Sequence, residues 1–144
     1  MKVKVYVDGS FNEQRQVYGG GIVIIVPNLD QPIFTKVVGN DPILLPSRNI
    51  AGELLATMEA MKLVDKLGGV TEIEIYHDYL GIAYWLTGAW QAKKPVSIKY
   101  RQHMTPYKEK YNITFTHVKG HSGDYYNGMA DRLAREGTFL PLGG

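Results

Sequence analysis

The chain contains no cysteine in its 144 residues. Disulfides, thiolate metal ligands and cysteine nucleophiles are thereby excluded. No run of about 18 apolar residues occurs, so no membrane-spanning helix is expected. Excess charge is also scarce: 16 Lys and Arg face 14 Asp and Glu, a net +2. That balance permits nucleic-acid binding without arguing for it, and any basic surface must come from local clustering. The opening Met1-Lys2-Val3-Lys4-Val5 alternates instead of forming the apolar block of a secretory leader. A cytoplasmic protein is expected. Internal repeats and low-complexity segments are absent too. What remains is an ordinary globular composition, 44% hydrophobic and 21% charged, of a length that suits one domain.

Val3, Val5 and Val7 alternate with polar or amphipathic neighbours, which is strand periodicity over residues 2–8. Asp8-Gly9-Ser10 is read as the strand's end, and Gly19-Gly20-Gly21 as the lead into a strand over 22–26. Residues 33–39 complete an antiparallel meander. After a loop holding Pro42 and Pro46, Leu54, Met58, Met61, Val64 and Leu67 mark a helix over about 50–67. A strand follows to His77, then a helix over 79–87. Helix 97–111 has a kink expected at Pro106. Strand 113–118, a loop over 119–124 and a last helix over 125–136 finish the order βββαβααβα. This is an α/β fold: a five-stranded mixed sheet with helices on both faces. Residues 1–138 are expected to form the domain and 139–144 a flexible tail.

Four acidic residues stand out by position. Asp8 and Asp78 follow strands, Glu53 lies near the start of the first long helix, and Asp131 sits beside Met129, Ala130, Leu133 and Ala134. Each has a plain alternative: a turn former at Asp8, a dipole complement at Glu53, a helix cap at Asp78, a surface charge at Asp131. Together they sit where strand ends and helix starts converge at the carboxyl edge of a mixed sheet. Clustered carboxylates repel unless cations neutralise them, and hard oxygen ligands select Mg²⁺ or Mn²⁺. Two such ions about 4 Å apart can clamp a phosphodiester undergoing in-line displacement. Such chemistry needs no serine triad and no small-molecule organic cofactor.

Several segments carry a resemblance to a known family: Val5-Tyr6-Val7-Asp8-Gly9-Ser10, Asn49-Ile50-Ala51-Gly52-Glu53, Ile75-Tyr76-His77-Asp78, Val118-Lys119-Gly120-His121-Ser122-Gly123 and Asn127-Gly128-Met129-Ala130-Asp131. Over residues 2–136 the chain resembles type 1 ribonuclease H. The stretches 78–82 and 87–95 resemble a bacterial subgroup often fused to a small hybrid-binding domain, with the catalytic domain alone here. The resemblance implies a ribonuclease H-like fold. It implies an endonuclease that hydrolyses the RNA strand of RNA–DNA hybrids and leaves 5′-phosphate and 3′-hydroxyl ends. Asp8, Glu53, Asp78 and Asp131 are then the metal-binding catalytic acids, holding two Mg²⁺ with Mn²⁺ as a substitute, and His121 assists catalysis or product release. His77, His103 and His117 are read as structural or surface residues. The chain departs from the family pattern at Tyr79, where many members have Ser. It departs also at Gly128, where Glu is common, and by one extra residue between Asn49 and Glu53.

A hybrid is marked by the 2′-hydroxyls of its RNA strand, displayed in a wide minor groove. Gly9, Ser10, Asn12 and Asn49 offer short polar groups or free backbone near the acids, although Asn49 also suits a helix cap. Trp85, two helical turns beyond Asp78, is expected on the same face, against a deoxyribose or half-buried in the core. Trp90 with Lys93 and Lys94 forms an aromatic and basic stretch suited to a nucleic-acid backbone, as do Lys99 and Arg101; a solvated charge run is the plain alternative. The competing readings are a hybrid-binding module without catalysis and another nuclease of the same fold. A monomer is expected.

Overall fold

The computed structural model describes residues 1–119 and 123–143. Strands β1 (Lys2–Asn12), β2 (Val17–Ile25), β3 (Ile33–Gly39), β4 (Glu72–His77) and β5 (Asn112–His117) form one mixed sheet. Their order is β3-β2-β1-β4-β5, with β1 and β2, and β2 and β3, antiparallel and β1, β4 and β5 parallel. The helices are α1 (Asn49–Leu67), α2 (Gly81–Thr87), α3 (Pro95–Lys110) and α4 (Tyr125–Gly137), as the βββαβααβα pattern requires. A short 3-10 turn, Leu45–Ser47, precedes α1 and had no signal in a proline-bearing loop. Among the described residues no helix is long and apolar enough to cross a membrane.

Alternation in β1 and β4 decides which face carries the main core. Val3, Val5, Val7, Ile73 and Ile75 are buried with Leu54, Met61 and Val64 of α1, and Ile82, Tyr100 and Met104 of α2 and α3. Tyr100 is buried with its hydroxyl donating to the Ile82 carbonyl at 2.7 Å, so the phenol carries a satisfied polar end. The opposite face is smaller: Tyr6, Val23 and Ala130, flanked by Tyr76, Tyr126, Met129 and Leu133.

Two strands are longer than the sequence pattern predicts. β1 continues through Asp8-Gly9-Ser10 to Asn12, and Gly19-Gly20-Gly21 lie inside β2 rather than ahead of it. The pairing Asp8↔Gly21, Gly9↔Gly20 and Ser10↔Gly19 is carried by backbone groups, which need no side-chain pattern. Helix α3 begins at Pro95, two residues early, and continues through Pro106 to Lys110. Proline suits a first helical turn because its missing N–H would be unpaired there. The Lys94 N–H and the Ser97 hydroxyl close a reciprocal cap on the same end. After α4, the Arg15 guanidinium donates to the carbonyls of Thr138 and, at 3.0 Å, Leu140, tying residues 138–140 to the β1–β2 hairpin.

Candidate active site

Parallel pairing of β1 and β4 runs in register to Tyr6↔Tyr76. Two residues further along each chain stand Asp8 and Asp78, which therefore leave the same sheet edge side by side. The two other acids arrive because glycines let helices touch the sheet. A Cβ on Gly21, the β2 partner of Asp8, would lie 1.9 Å from the Ala130 carbonyl oxygen. Helix α4 thus rests directly on the strand next to Asp8, and Asp131 follows Ala130. On the other face a Cβ on Gly9 would lie 2.0 Å from the Asn49 carbonyl and 2.3 Å from the Glu53 nitrogen. The start of α1 is seated there with the same intimacy. Replacing either glycine would force a helix away from the acids.

Glu53 is only 3% exposed. It is the fifth residue of α1, one turn deeper than a first-turn dipole complement, which the sequence pattern had suggested. Its carboxylate accepts the Tyr79 N–H at 2.8 Å. Burial pushes its pKa well above the usual carboxylate range; Asp8 and Asp78 add to that, while the Tyr79 and Asp78 backbone N–H groups oppose it. Asp8 is pushed up to about 7, chiefly by burial, with the charges of Asp131 and Asp78 contributing and the Gly9 N–H pulling the other way. That N–H donates to the Asp8 carboxylate at 2.9 Å. Asp78 is exposed. Asp131 is partly exposed and pairs with Arg135 one turn along α4 at 3.2 Å.

Two clefts meet at these acids. One, of about 660 Å³, runs along α4 past Asp8, Gly9, Asp78, Asp124, Asp131 and Arg132. The other, of about 400 Å³, lies toward α2 and is walled by Glu53, Tyr79, Leu80, Trp90 and His117. Asp8, Asn49 and Asp78 line both, and the saddle between them is bordered by Gly9 and Asp131 from the first cleft and by Glu53 from the second. Among the described residues no three acids or imidazoles already close into a metal cage. The donor set is nonetheless hard oxygen on β1, α1, α4 and the turn after β4, with two carboxylates held against their preferred ionisation. That is the chemistry a divalent cation relieves.

The remaining expected residues divide. Gly9 and Asn49 are at the saddle; Asn49 is the first residue of α1, and the cap position belongs to Arg48. Trp90 lines the second cleft. Trp85 does not continue a helix from Asp78, because α2 starts at Gly81. It packs edge-on against Tyr79 and Trp90 at 5.4 and 6.2 Å between ring centres, and its side chain joins the core margin. Asn12 serves the hairpin, accepting the Arg15 N–H at 3.1 Å, and Ser10 pairs with Gly19. Lys93 and Lys94 are exposed beside Trp90, whereas Lys99 is paired with Asp41. Arg101 lines a separate hollow on α3. His121 lies outside the described residues. The sequence reading gave no site role to three groups at or beside the acids: Tyr79, noted only as a departure from the family pattern, whose backbone holds Glu53; Arg135 on Asp131; and His117, read as structural or surface and exposed in the structure. Aligning the ends of β4 and β5 would have found the last, since His77 and His117 are register partners.

Comparison with known proteins agrees with this fold. The family model described as RNase H matches residues 1–139. A ribonuclease H of Caulobacter sp. (strain K31) is 27% identical, over 99% of this chain and 93% of its own. The RNase H1 of the halophilic archaeon Halobacterium salinarum NRC-1 superposes with a TM-score of 0.77 at 22% identity, covering 95% of this chain and 97% of the other. LC11-RNase H1, solved in complex with an RNA/DNA hybrid, gives 0.74 at 19% identity over 93% and 94%. These two structural likenesses speak to the fold, and the match of the family model across nearly the whole chain settles kinship: the protein belongs to the ribonuclease H family.

Proposed function

We propose that the protein hydrolyses the RNA strand of RNA–DNA hybrids at the saddle between the two clefts, leaving 5′-phosphate and 3′-hydroxyl ends. The observation that carries this reading is the convergence of Asp8 from β1, Glu53 from α1, Asp78 from the turn after β4 and Asp131 from α4 onto one sheet edge. These residues would hold two Mg²⁺, with Mn²⁺ as a substitute. Bound there, the ions supply Lewis-acid stabilisation of the phosphate and a nucleophile at neutral pH.

Each residue contributes something distinct. Glu53 presents a carboxylate whose position is set by burial and by the Tyr79 N–H. Asp8, in β1, and Asp78, just beyond the end of the parallel strand β4, share both clefts. Asp131 reaches the saddle from α4 while linked to Arg135. Asn49 and the Gly9 backbone stand where the 2′-hydroxyls of an RNA strand would be read. Trp90, with Lys93 and Lys94 beyond it, suits the backbone of the DNA strand. His121 would assist catalysis or product release, a role for which an imidazole that titrates near neutral pH is suited. The hybrid-bound state of LC11-RNase H1 supports the choice of substrate.

An end-labelled hybrid, duplex DNA and duplex RNA incubated with the protein and Mg²⁺ test the proposal. Cleavage confined to the RNA of the hybrid, and stopped by EDTA, is expected. Cleavage of duplex DNA, or binding of the hybrid without any cleavage, would contradict it.

A further inference from the structure

The second cleft has an electrostatic difficulty. Its walls include the carboxylates of Asp8, Glu53 and Asp78; the proposed cations would neutralise these acids and the phosphate being cut, but a nucleic acid entering the cleft brings further phosphates. Among the described residues lining that cleft there is no lysine or arginine; the side chains that can donate are Asn49, Tyr79, the Trp90 indole and the His117 imidazole. The Tyr79 ring is taken up by edge-on contacts with Trp85 and Trp90, at 5.4 and 6.0 Å between ring centres.

His117 owes its place to register. It is the last residue of β5 and pairs with His77, the last residue of β4. Neighbouring residues in a parallel pair present their side chains to the same face, so His117 faces the side that carries Glu53 and α2. The two histidines part ways there. His77 is buried, its Nδ1 2.9 Å from the Tyr79 carbonyl, and it shapes the turn that follows Asp78. The Val118 N–H donates to the His77 carbonyl at 2.8 Å, which fixes the end of β5 against that turn. His117 is exposed, with its ring 5.9 Å from that of His77. A rigid backbone therefore carries a solvent-facing imidazole on the cleft wall shared by Asp78 and Trp90.

We propose that His117 is a substrate-contacting residue, whose imidazole donates a hydrogen bond to a backbone phosphate of the hybrid in the second cleft. Either tautomer of a neutral imidazole has one N–H to give, and a contact to phosphate positions the strand without reading its sequence. This rests on the proposed activity above and adds a binding residue to it, distinct from the four acids and from His121.

The test compares wild type with His117→Ala and His117→Gln. A charge-assisted hydrogen bond of this kind is worth roughly tenfold in affinity. His117→Ala is expected to raise KM for the hybrid about tenfold, with the loss falling on KM rather than kcat. His117→Gln, which keeps an N–H donor, is expected to recover most of it. The melting-temperature gain on adding Mg²⁺ should be the same in all three proteins, since His117 is not assigned to the metal. Fluorescence anisotropy with labelled hybrid in an Asp78→Asn background reads the contact without cleavage and should show the same tenfold loss. An unchanged KM and anisotropy would overturn the proposal. So would a fall in kcat at constant KM, or a Mg²⁺ response lost with the imidazole. Should wild type fail to cut hybrid at all, the proposed activity falls, while the anisotropy comparison still decides the role of His117.

Discussion

Glu53 and Asp131 carry the same functional group to the same saddle from opposite faces of the sheet, and their surroundings differ in almost every respect. Glu53 is buried, receives the Tyr79 N–H, and is held well above its ordinary pKa by lack of water. Asp131 is partly open to solvent and tied to Arg135 on its own helix. In the proposed metal site the first would be a fixed ligand, whose ionisation burial resists until a cation arrives. The second would be an adjustable one, whose arginine must share or release it. The contrast assigns rigidity to the α1 side of the site and adaptability to the α4 side. Both sides depend on glycine for their approach to the sheet.

The largest effect is expected from breaking that approach. Gly21→Val would drive a side chain into the Ala130 carbonyl, already 1.9 Å from an ideal Cβ. A loss of about 3 kcal/mol or more is expected, at the upper end of overpacking costs, together with loss of hybrid cleavage. Gly128→Ala on α4 meets nothing within 4 Å. It should leave stability equal or raise it by up to about 1 kcal/mol from helix propensity. Urea denaturation followed by circular dichroism measures both; two equal shifts would remove the glycine argument.

Next in size is the comparison of the two acids themselves. Glu53→Gln is expected to abolish cleavage while stabilising the metal-free protein by about 1 kcal/mol or more at pH 8, because a buried charge without its cation is removed. Asp131→Asn is also expected to suppress cleavage, but to move stability by no more than about 0.5 kcal/mol, as for other surface changes. Melting curves in EDTA separate the pair. A destabilised Glu53→Gln protein would mean that Glu53 supports the fold as an ion.

The same asymmetry predicts a pH dependence. The pKa of Asp8 rises from an ordinary 3.8 to about 7 in the folded chain, and that of Glu53 is raised too. The folded state therefore holds protons that the unfolded state has released. The stabilisation from Asp8 is complete below about 3.8 and lost as pH climbs through about 7. In EDTA the melting temperature should fall between pH 5 and pH 8. Millimolar Mg²⁺ should raise it, more at pH 8 than at pH 5, because the cation binds the ionised acids of the native state. A metal-free melting temperature that climbs over this range would reverse the assignment.

The smallest effect belongs to Arg135. An exposed pair one turn apart is worth about 0.3–0.5 kcal/mol, so Arg135→Ala should barely alter stability. It should tighten Mg²⁺ binding by a few-fold at most, as measured by calorimetric titration. Weaker binding would make Arg135 a support for Asp131 instead of a competitor.

Much of this was legible in the sequence where side chains dictate structure. β3 ends where its pattern ends, and the stripe of Leu54, Met58, Met61 and Val64 places α1 within a residue. Legibility failed where the backbone decides. Glycines at 19–21 look like a break, yet they are paired strand residues whose missing side chains admit α1 and α4. Trp85 looked helically aligned with Asp78, but helix α2 starts only at Gly81. The four acids were singled out by position. The unequal burial of Glu53 and Asp131 was not, since it depends on which helix lies deeper against the sheet. His117 reads in the sequence as a structural or surface residue, and it is exposed; its place on the cleft wall was not legible, because it follows from strand register.

The claim that Asp8, Glu53, Asp78 and Asp131 form one metal site is tested most directly by anomalous diffraction from crystals of the wild-type protein grown with Mn²⁺. Peaks within coordination distance of all four carboxylates, with Glu53 in place as found here and Asp131 turned away from Arg135, are the expected result. Peaks that leave out Glu53 or Asp131 would contradict it, as would an empty saddle at saturating Mn²⁺.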